Sequence, residues 1–458
     1  MAPKANNLKT LFVSGMDGDT QRYRCFHHQE QLAMQGVATG FCESDDPRLL
    51  VDVLTYDLLV LHRVSYNQLI GAVIDVAHLR GKPVVFETDD LVFAPELYDH
   101  IGFADTLTPE KAREFQRTLH LQAETFQRSD CVLTTTNFLA GEARDRGKPA
   151  YVNRNAPSEE MIEISEEAFA ARCQRLDGRG EEDGHPMVVA YFSGTGSHNR
   201  DFRVITEPLI WMLETYPQTS LHISGHLEVG PAFSPYQDRI RRAPYIDWRE
   251  LPHLVARVDL NLAPLEQSNP FCRAKSENKF VEAALVGVPT IASPVEAFEL
   301  AITDGEDGLL ASTAGEWQVA LKVLLDSPRR RREMGEAARR TVYARYMPED
   351  RSAGLVEILQ DVVDRYGGPA APAEQILREW ASRMKDYAGE IQQDVLRREA
   401  QVESLRKALC DYEDQLTARA KEKSGRIAQR DRTIRAIALG RVGRLMAAVQ
   451  RWWGKTAG

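Results

Sequence analysis

Short, continuous apolar runs alternate with helical patterns along the first 155 residues of the chain. Each run is four to eight residues long and rich in Val, Leu and Ile, a pattern typical of strands buried on both faces of a sheet. We predict strands at Leu11–Gly15, Val37–Cys42, Asp57–Arg63, Pro83–Asp90, Cys131–Thr136 and Ala150–Asn155. Helical patterns such as Thr20–Gln35, Tyr66–Leu79 and Pro109–Gln127 separate them, so the sequence predicts βαβ units and a parallel sheet.

The same alternation restarts after a polar, Gly-containing stretch, RLDGRGEEDGH at 175–185, which we interpret as a loop or linker. The second set of predicted strands is Met187–Gly194, Ser220–His226, Asp259–Leu265, Pro289–Ser293 and Gly308–Ala311. Two such arrays predict an α/β protein with two doubly wound, Rossmann-like domains that face a cleft. In such sheets ligands bind outside the carboxyl ends of the strands.

The pattern changes after the sequence GGPAAP at 367–372, which follows a predicted helix from Pro348 to Tyr366. Between Glu374 and Arg435 there is no Pro, and an apolar residue recurs at alternating spacings of three and four. The apolar positions are Met384, Tyr387, Ile391, Val395, Val402, Leu405, Leu409, Tyr412 and Leu416, interrupted by Arg398. This heptad pattern predicts a coiled coil that joins a homo-oligomer or a partner protein. A single long helix packed on the body is the alternative.

The C-terminal end combines an apolar face with positive charge. Leu439, Val442, Leu445, Met446, Val449, Trp452 and Trp453 share one face of an ideal helix, and Arg441, Arg444 and Arg451 lie on the other. A basic amphipathic helix with tryptophans is typical of an interfacial helix on an anionic membrane surface. Packing on a partner or on a dimer mate is the alternative.

These patterns divide the chain into six parts. They are a first Rossmann-like domain at 1–160, a linker at 161–186, a second Rossmann-like domain at 187–348, a crossover helix at 349–366, a coiled coil at 367–435 and a basic helix at 436–458.

Charge and cysteine content exclude some classes of function and indicate where the protein is located. The net charge is −10, and because residues 421–458 carry +8, residues 1–420 carry −18. An acidic body argues against a nucleic-acid binder. The six cysteines show no CxxC pair, which argues against a zinc ribbon or a disulfide framework and fits a reducing cytoplasm. No signal peptide or run of 18 apolar residues is visible, so we expect a cytoplasmic protein, peripheral on the inner membrane face.

The first candidate site follows the strand that begins the second array. The strand ends in a turn with Gly194, Thr195 and Gly196, followed by His198 and Arg200 at the start of a helix. Glycines allow close approach of a ligand, and free N–H groups at a helix start favour an anion. The residues therefore suit a phosphate, although an ordinary tight turn has the same pattern.

The second candidate site lies at 261–293. Lys275, Lys279 and Glu282 are spaced by four and three residues, so a helix from about Lys275 to Val286 would place them on one face, beside Ser276. Lysines match phosphate charge, and a carboxylate accepts hydrogen bonds from ribose hydroxyls. A solvated charged helix face is the alternative.

The order of these elements resembles a known family. The segment EAALVGVPTIAS at 282–293, the segment DGEDGLL at 304–310 and the basic helix RRREMGEAARR at 330–340 are similar to the donor domain of retaining glycosyltransferases of the GT-B fold. In particular they resemble glycosyltransferase family four, in a bacterial subgroup with a KSxxK…E donor helix. The resemblance extends over about residues 8–366.

The resemblance implies roles for the donor-side residues. Glu282 matches the second glutamate of the family's E-x7-E motif and is expected to hold the ribose, and Lys275 and Lys279 replace the family's phosphate-binding pair. The first glutamate would fall at Ala274, so the sugar-contacting acid is absent or is supplied elsewhere, for example by Glu277 or Glu266.

The N-terminal half resembles the acceptor domain of the same subgroup. Asp89 and Asp90 end the fourth strand, where many members have a His-Asp pair, and they are expected to orient the acceptor or stabilise a developing oxocarbenium ion. A helix N-cap is the alternative role for this pair. Further acceptor-side candidates at strand ends are Asp17, Arg24, His62 and Arg63.

The implied activity is retaining transfer of a hexosyl or deoxyhexosyl group from a nucleotide-diphosphate sugar to a glycan or lipid-linked acceptor, in surface polysaccharide or glycoconjugate synthesis. No metal or other cofactor is expected, since lysines would replace the metal. Two other classes stay open: a sugar-nucleotide epimerase, and a non-catalytic scaffold that acts through its coiled coil.

Overall fold

The computed structural model describes residues 8–102, 107–177, 186–194, 199–227 and 229–453, with side chains uninterrupted across these ranges up to Gln415. The chain forms two compact units, Met1–Met384 and Lys385–Gly458. The first unit contains two six-stranded sheets, and every strand pairing in them is parallel. The predicted α/β architecture of two doubly wound domains is therefore confirmed.

The first sheet has the strand order β2-β1-β3-β4-β5-β6. Its strands are β1 (Lys9–Ser14), β2 (Ala38–Glu43), β3 (Leu58–His62), β4 (Val84–Thr88), β5 (Cys131–Thr134) and β6 (Ala150–Val152). The central strands β3 and β4 are buried along their whole length, in line with their continuous apolar sequence. All six predicted strands are present, although several end earlier than predicted.

The helices of this half cover both faces of the sheet. They are α1 (Asp19–Gln21), α2 (His27–Met34), α3 (Leu49–Asp52), α4 (Gln68–Leu79), α5 (Pro109–Arg128) and α6 (Asn137–Asp145), with a 3₁₀ turn at Pro95–His100. The predicted helix Thr20–Gln35 is interrupted by a π-helical segment, Arg22–Phe26. A π segment widens the helical turn, and such segments occur frequently at functional sites.

The second sheet has the order β12-β11-β10-β7-β8-β9. Its strands are β7 (Val188–Ser193), β8 (Ser220–Gly225), β9 (Ile240–Ala243), β10 (Leu260–Ala263), β11 (Thr290–Ala292) and β12 (Leu309–Leu310). The sequence did not predict β9. This edge strand carries the exposed Arg241 and Arg242, so it lacks the apolar run by which the other strands were recognised.

The helices of the second half are α7 (Glu159–Asp177), α8 (Asn199–Arg203), α9 (Thr206–Thr215), α10 (Leu251–Val255), α11 (Pro270–Arg273), α12 (Asn278–Leu285), α13 (Glu296–Ala301), α14 (Ala314–Leu325) and α15 (Pro328–Arg345), with a 3₁₀ segment at Pro231–Arg239. Much of the segment 161–186 that was interpreted as a linker thus belongs to α7. Ala168 of this helix is buried with Val255 and Ala283, so α7 packs on the second sheet's helices.

The helix α16 (Pro348–Tyr366) returns to the first half of the chain. Leu355, Leu359 and Val362 are buried in one cluster with Phe12 and Val60 of the first sheet. This helix, which includes the segment 349–366 that was predicted as a crossover, therefore completes the core of the first sheet.

The helix α17 (Ala373–Trp453) covers the predicted coiled coil and most of the predicted basic helix as one uninterrupted element. The side chains of the amphipathic face from Leu439 onward lie outside those that the structure describes. Within the described residues, no helix is long and apolar enough to span a membrane.

Candidate active site

A pocket of about 670 Å³, open to solvent, lies at the carboxyl ends of the strands of the second sheet. Phe192, Ser193 and Gly194 line it from the end of β7, and Lys279 and Glu282 line it from α12. Two residues of the first half, Asp19 and Arg22, also line it. The pocket therefore brings together two of the three charged residues of the predicted donor helix and the first glycine of the predicted anion-binding turn.

Glu282 receives a hydrogen bond from the other half of the molecule. The Tyr23 hydroxyl donates to Glu282 Oε1 at 2.8 Å. Burial raises the pKa of Glu282, and Arg22 and the Tyr23 hydrogen bond act in the opposite direction without cancelling that rise. Tyr23 thus holds Oε1 of the Glu282 carboxylate and makes no hydrogen bond to Oε2.

An aromatic and cationic wall lies beside this glutamate. The Arg22 guanidinium is 4.6 Å from the ring centre of Trp248 and 4.5 Å from that of Tyr23. Arg22 also donates to Asp19 at 3.0 Å, and the Tyr245 hydroxyl donates to the same Asp19 carboxylate at 2.5 Å. A flat aromatic ring and fixed positive charge suit a nucleobase and a phosphate, respectively.

Lys279 is fixed at the end of β7. Its Nζ donates to the Phe192 carbonyl at 2.5 Å and lies 5.3 Å from the ring centre of Tyr191. Burial lowers the pKa of Lys279, partly opposed by Glu282 and Asp201. Lys279 therefore lies at the end of β7 and lines the same pocket as Gly194, the first residue of the turn where an anion was predicted. Thr195, Gly196 and His198 of that turn lie outside the described residues, and Arg200 is half-buried on α8.

Lys275 does not share a helix face with Lys279 and Glu282, contrary to the prediction. The helix α12 begins only at Asn278, with Glu277 at its N-cap, so Lys275 lies in the bend between α11 and α12. Its Nζ donates instead to Asp90 Oδ2 at 2.7 Å, which joins the two halves by an ion pair. Although burial acts to lower the pKa of Lys275, Asp90 keeps it above its ordinary value.

Asp89 and Asp90 form a paired carboxylate site at the end of β4. Arg63 approaches Asp89 Oδ1 to 2.6 Å and Asp90 Oδ2 to 3.5 Å, and the Thr20 hydroxyl donates to Asp89 at 2.7 Å. Burial acts to raise the pKa of both carboxyls, but the cations next to them (Arg63 at Asp89, Lys275 at Asp90) hold both pKa values below the usual range. Both therefore stay ionised at neutral pH.

Arg63 adopts the left-handed conformation, with φ of 48°, the only described residue other than glycine with a positive φ. Its carbonyl accepts from Gln122 at 2.8 Å, and its N–H donates to the Glu87 carbonyl at 3.0 Å. Strained backbone of this kind persists only where surrounding contacts impose it, and it clusters at functional sites.

Arg24 and His62, both predicted on the acceptor side, are completely buried beneath the carboxylate pair. Arg24 donates to Glu87 at 2.6 Å and to Asn155 Oδ1 at 2.9 Å, and His62 binds the other oxygen of Glu87 through Nδ1. They lie below the surface of the site and bind Glu87 there. Asp17 is exposed in the loop after β1.

The same network reaches the donor side through Asn155. Its amide donates to Ser276 Oγ at 3.2 Å and to Asn278 Oδ1 at 3.0 Å. The predicted donor residue Ser276 is thus positioned by a residue from the segment after β6, next to the start of α12.

Ala274 is completely buried and packs in one cluster with Phe86, Leu91 and Phe271.

The two proposed substitutes for the family's first glutamate differ in their surroundings. Glu277 is nearly buried and accepts from Arg154 at 3.2 Å and from Tyr346 at 2.9 Å, so its carboxylate is used in packing. Glu266 accepts from the Asn269 amide at 3.2 Å. Neither lines the pocket.

Sequence reasoning missed Asp19, Tyr245 and Trp248. Trp248 and Tyr245 lie in the polar connection between β9 and α10. Large aromatic residues in a loop without an apolar pattern could have indicated a binding role for them. Asp19 immediately precedes the predicted helical pattern Thr20–Gln35, and nothing local shows that it reaches Tyr245. Among the described residues, no group of three or more His, Cys, Asp or Glu is placed to hold a metal ion.

Residues 203–357 match a family model described as "Glycosyl transferase-like". A D-inositol 3-phosphate glycosyltransferase of Corynebacterium aurimucosum is 43% identical over 60 residues, which are 13% of this chain and 14% of that protein's length. The match to this relative is therefore confined to a small part of both chains.

Solved structures extend the likeness to most of the chain. HepE of Anabaena in complex with UDP has a TM-score of 0.52 at 16% identity, over 77% of this chain and all of that one. Sucrose-phosphate synthase of Thermosynechococcus elongatus has a TM-score of 0.53 at 15% identity, over 78% of this chain and all of that one.

The chain has the GT-B glycosyltransferase fold. A glycosyltransferase of Rickettsia africae shares it with a TM-score of 0.51 at 12% identity, over 79% of this chain and all of that one. In this GT-B chain the family-model match covers α9 to the first half of α16, which includes Lys275, Lys279 and Glu282.

Proposed function

We propose that the protein is a retaining glycosyltransferase that moves a hexosyl or deoxyhexosyl group from a nucleotide-diphosphate sugar to a glycan or lipid-linked acceptor. One observation carries the proposal: the pocket joins Glu282 and Lys279 at the edge of the second sheet to Arg22 of the first half. The UDP complex of the HepE neighbour supports a uridine nucleotide as the first donor to test.

In the proposed complex the ribose hydroxyls donate to Glu282, the base lies near Trp248, and the diphosphate lies between Lys279 and the turn at Gly194. Lys279 and the turn's N–H groups stabilise the charge that develops on the leaving diphosphate, because preorganised positive charge is most effective in a partly dry site. These residues act on the donor alone, and no metal enters the step.

The carboxylates Asp89 and Asp90 lie on the opposite side, at the edge of the first sheet. In the proposed transfer, the bond between the anomeric carbon and the phosphate oxygen breaks, and the acceptor oxygen forms the new bond on the same face. The acceptor proton passes to the departing phosphate oxygen. Asp89 and Asp90, both ionised, stabilise the positive charge of the sugar ring as it develops.

We expect Glu282→Ala and Lys275→Ala each to abolish most transfer while the protein stays folded. Glu282→Ala removes the ribose acceptor, and Lys275→Ala leaves Asp90 without its cation across the cleft. The measurement is release of UDP from a panel of UDP-sugars with a lipid-linked glycan acceptor, beside the melting temperature. Lys322→Ala, an exposed lysine of α14, is the control and should keep full activity. Near-normal turnover in both variants would contradict the site.

The scaffold alternative has one specific observation in its favour. The family's first glutamate is replaced by Ala274, and neither Glu277 nor Glu266 lines the pocket. A thermal-shift screen against nucleotide diphosphates and their sugars separates the two functions, because a ligand that binds only the folded state raises the melting temperature. A scaffold gives no shift with any donor.

For location, we infer a cytoplasmic protein held peripherally on the inner face of the membrane. The support is the charge of +8 at 421–458 and the apolar face of the terminal sequence, both read from the sequence. This location would bring a lipid-linked acceptor to the enzyme, in surface polysaccharide or glycoconjugate synthesis.

A further inference from the structure

The second unit presents an apolar stripe to solvent along α17. Its members are between 45% and 62% exposed: Ile391, Val395, Val402, Leu405, Leu409 and Tyr412. Large apolar side chains at heptad spacing are seldom left uncovered in a stable protein, because a coiled coil buries them. Taking Val395, Val402 and Leu409 as a positions places Ile391, Leu405 and Tyr412 at d.

One core position of the stripe is charged, and this charge distinguishes parallel from antiparallel pairing of two helices. Arg398 occupies a d position and binds Asp394 of its own helix at 2.8 Å. In a parallel, in-register pair the two Arg398 side chains would share one layer, where two cations repel. In an antiparallel pair each a layer meets a d layer, so Arg398 faces a leucine, Leu409, of the other helix.

The flanking charges select the same orientation. Glu399 and Arg406 occupy successive e positions. In a parallel pair the g position Asp394 lies beside Glu399 of the other chain, which is repulsive. In the antiparallel pair that centres on the Val402–Leu405 layers, Glu399 lies beside Arg406 of the other chain, twice by symmetry.

The charges also select the register. A shift of the antiparallel pair by one heptad in one direction places Glu399 beside a second Glu399. A shift in the other direction places Arg406 beside a second Arg406 and Glu399 beside Glu413. Only the register centred on Val402 and Leu405 gives two attractive pairs and no repulsive one.

We propose that residues 391–416 form an antiparallel coiled coil with a second copy of this chain, in which Val402 packs against Leu405 of the other copy and Glu399 pairs with its Arg406. The segment spans about 39 Å at 1.5 Å per residue, close to four heptads, which is near the minimum for a stable coiled coil. The pairing is independent of the activity proposed for the pocket.

Charge reversal distinguishes the orientations in the full-length protein. In the antiparallel pair, Glu399→Lys places lysine beside Arg406 and should raise the dissociation constant of the dimer about tenfold. The double variant Glu399→Lys/Arg406→Glu exchanges the two charges and should restore wild-type affinity. In a parallel pair Glu399→Lys would gain Asp394 and tighten the dimer. Analytical ultracentrifugation over a concentration series measures each constant.

The control is Lys407→Glu, which makes the same charge change as Arg406→Glu one residue away, at the outer f position. It should leave the dissociation constant within twofold, and far-ultraviolet circular dichroism should show equal helix content in all variants. A wild-type chain that stays monomeric at the highest concentration, a Glu399→Lys variant with equal or higher affinity, or a double variant without recovery would each overturn the proposal.

Disulfide trapping provides a second measurement. In a Cys410→Ser background, which removes the exposed native thiol of this helix, a tagged Val402→Cys chain is mixed with an untagged Leu405→Cys chain. The antiparallel pair brings these two positions into one layer, so the mixed disulfide should exceed either homodimeric one under mild oxidation. An excess of Val402→Cys homodimers would indicate parallel helices and contradict the proposal.

Discussion

At the scale of the residue, Glu282 of the candidate pocket accepts a hydrogen bond from Tyr23 of the first half of the chain. The tyrosine lies in the π-helical segment, next to Arg22, which contacts Trp248. Since the carboxylate is partly buried, these neighbours favour its ionised form. The pKa of Glu282 is thus influenced by residues from the first half of the chain as well as by its own helix.

The pH dependence of nucleotide binding should report this tuning. Burial raises the pKa of Glu282, so the carboxylate takes up its proton at a higher pH than an ordinary glutamate, and UDP affinity should begin to fall there as the pH is lowered. Tyr23→Phe removes a bond that favours the ionised form, so its fall in affinity should begin at a still higher pH.

Isothermal titration calorimetry from pH 5 to 8 measures these profiles, and comparison with wild type at each pH cancels the titration of UDP itself. Glu282→Gln is the control, because its profile should retain only the titration of the ligand. An identical acid limb in wild type and Tyr23→Phe would show that the tyrosine does not influence the carboxylate.

At the scale of the element, the start of α12 and the approach of α15 decide where Lys279 and Glu282 lie. A Cβ at Gly335 of α15 would lie 2.2 Å from the carbonyl oxygen of Gly287, at the end of α12. Gly287 itself has a φ of 67°, which ends the helix in the left-handed conformation. This contact between backbones fixes the helix that carries Lys279 and Glu282.

Gly335→Ala should therefore destabilise the protein by about 1–3 kcal/mol, because the backbone of Gly287 has to move to admit the methyl group. Gly354→Ala is the matched control in α16, where a Cβ meets nothing within 4 Å. It should stabilise by about 0.5–1 kcal/mol through helix propensity. Urea unfolding measures both, and equal effects would contradict the packing.

At the scale of the whole molecule, negative charge is concentrated in residues 1–420 and positive charge in the last 38 residues. The ion pair between Lys275 and Asp90 shows that charge also joins the two halves of the first unit. The basic terminal sequence lies far from these residues along the chain. Its charges can therefore be substituted without changing any residue of the pocket.

Membrane binding should accordingly depend on the terminal arginines. We expect the full-length protein to co-sediment with vesicles that contain phosphatidylserine and not with phosphatidylcholine vesicles, and to lose binding above about 0.5 M salt because exposed charges are then screened. Arg441→Gln/Arg444→Gln/Arg451→Gln should weaken binding while UDP affinity is unchanged. Equal binding of this variant would show that the arginines do not attach the protein.

The sequence by itself determined the elements and their order. Eleven of the twelve strands follow from continuous apolar runs, because strands buried on both faces exclude polar residues, and β9 was missed because its charged edge breaks that rule. The crossover helix and the long C-terminal helix follow from local periodicity in the same way. Glu282 and Lys279 followed from their spacing, since positions three apart on a helix share a face.

Only the tertiary structure decided which residues meet. Lys275 precedes α12 and binds Asp90, Arg24 and His62 are buried beneath the carboxylates, and Tyr23 holds Glu282 across the cleft. These partners lie far apart in sequence, and no local pattern encodes a contact between them. Their chemistry depends on burial and neighbouring charge, which exist only once the two halves of the first unit are packed together.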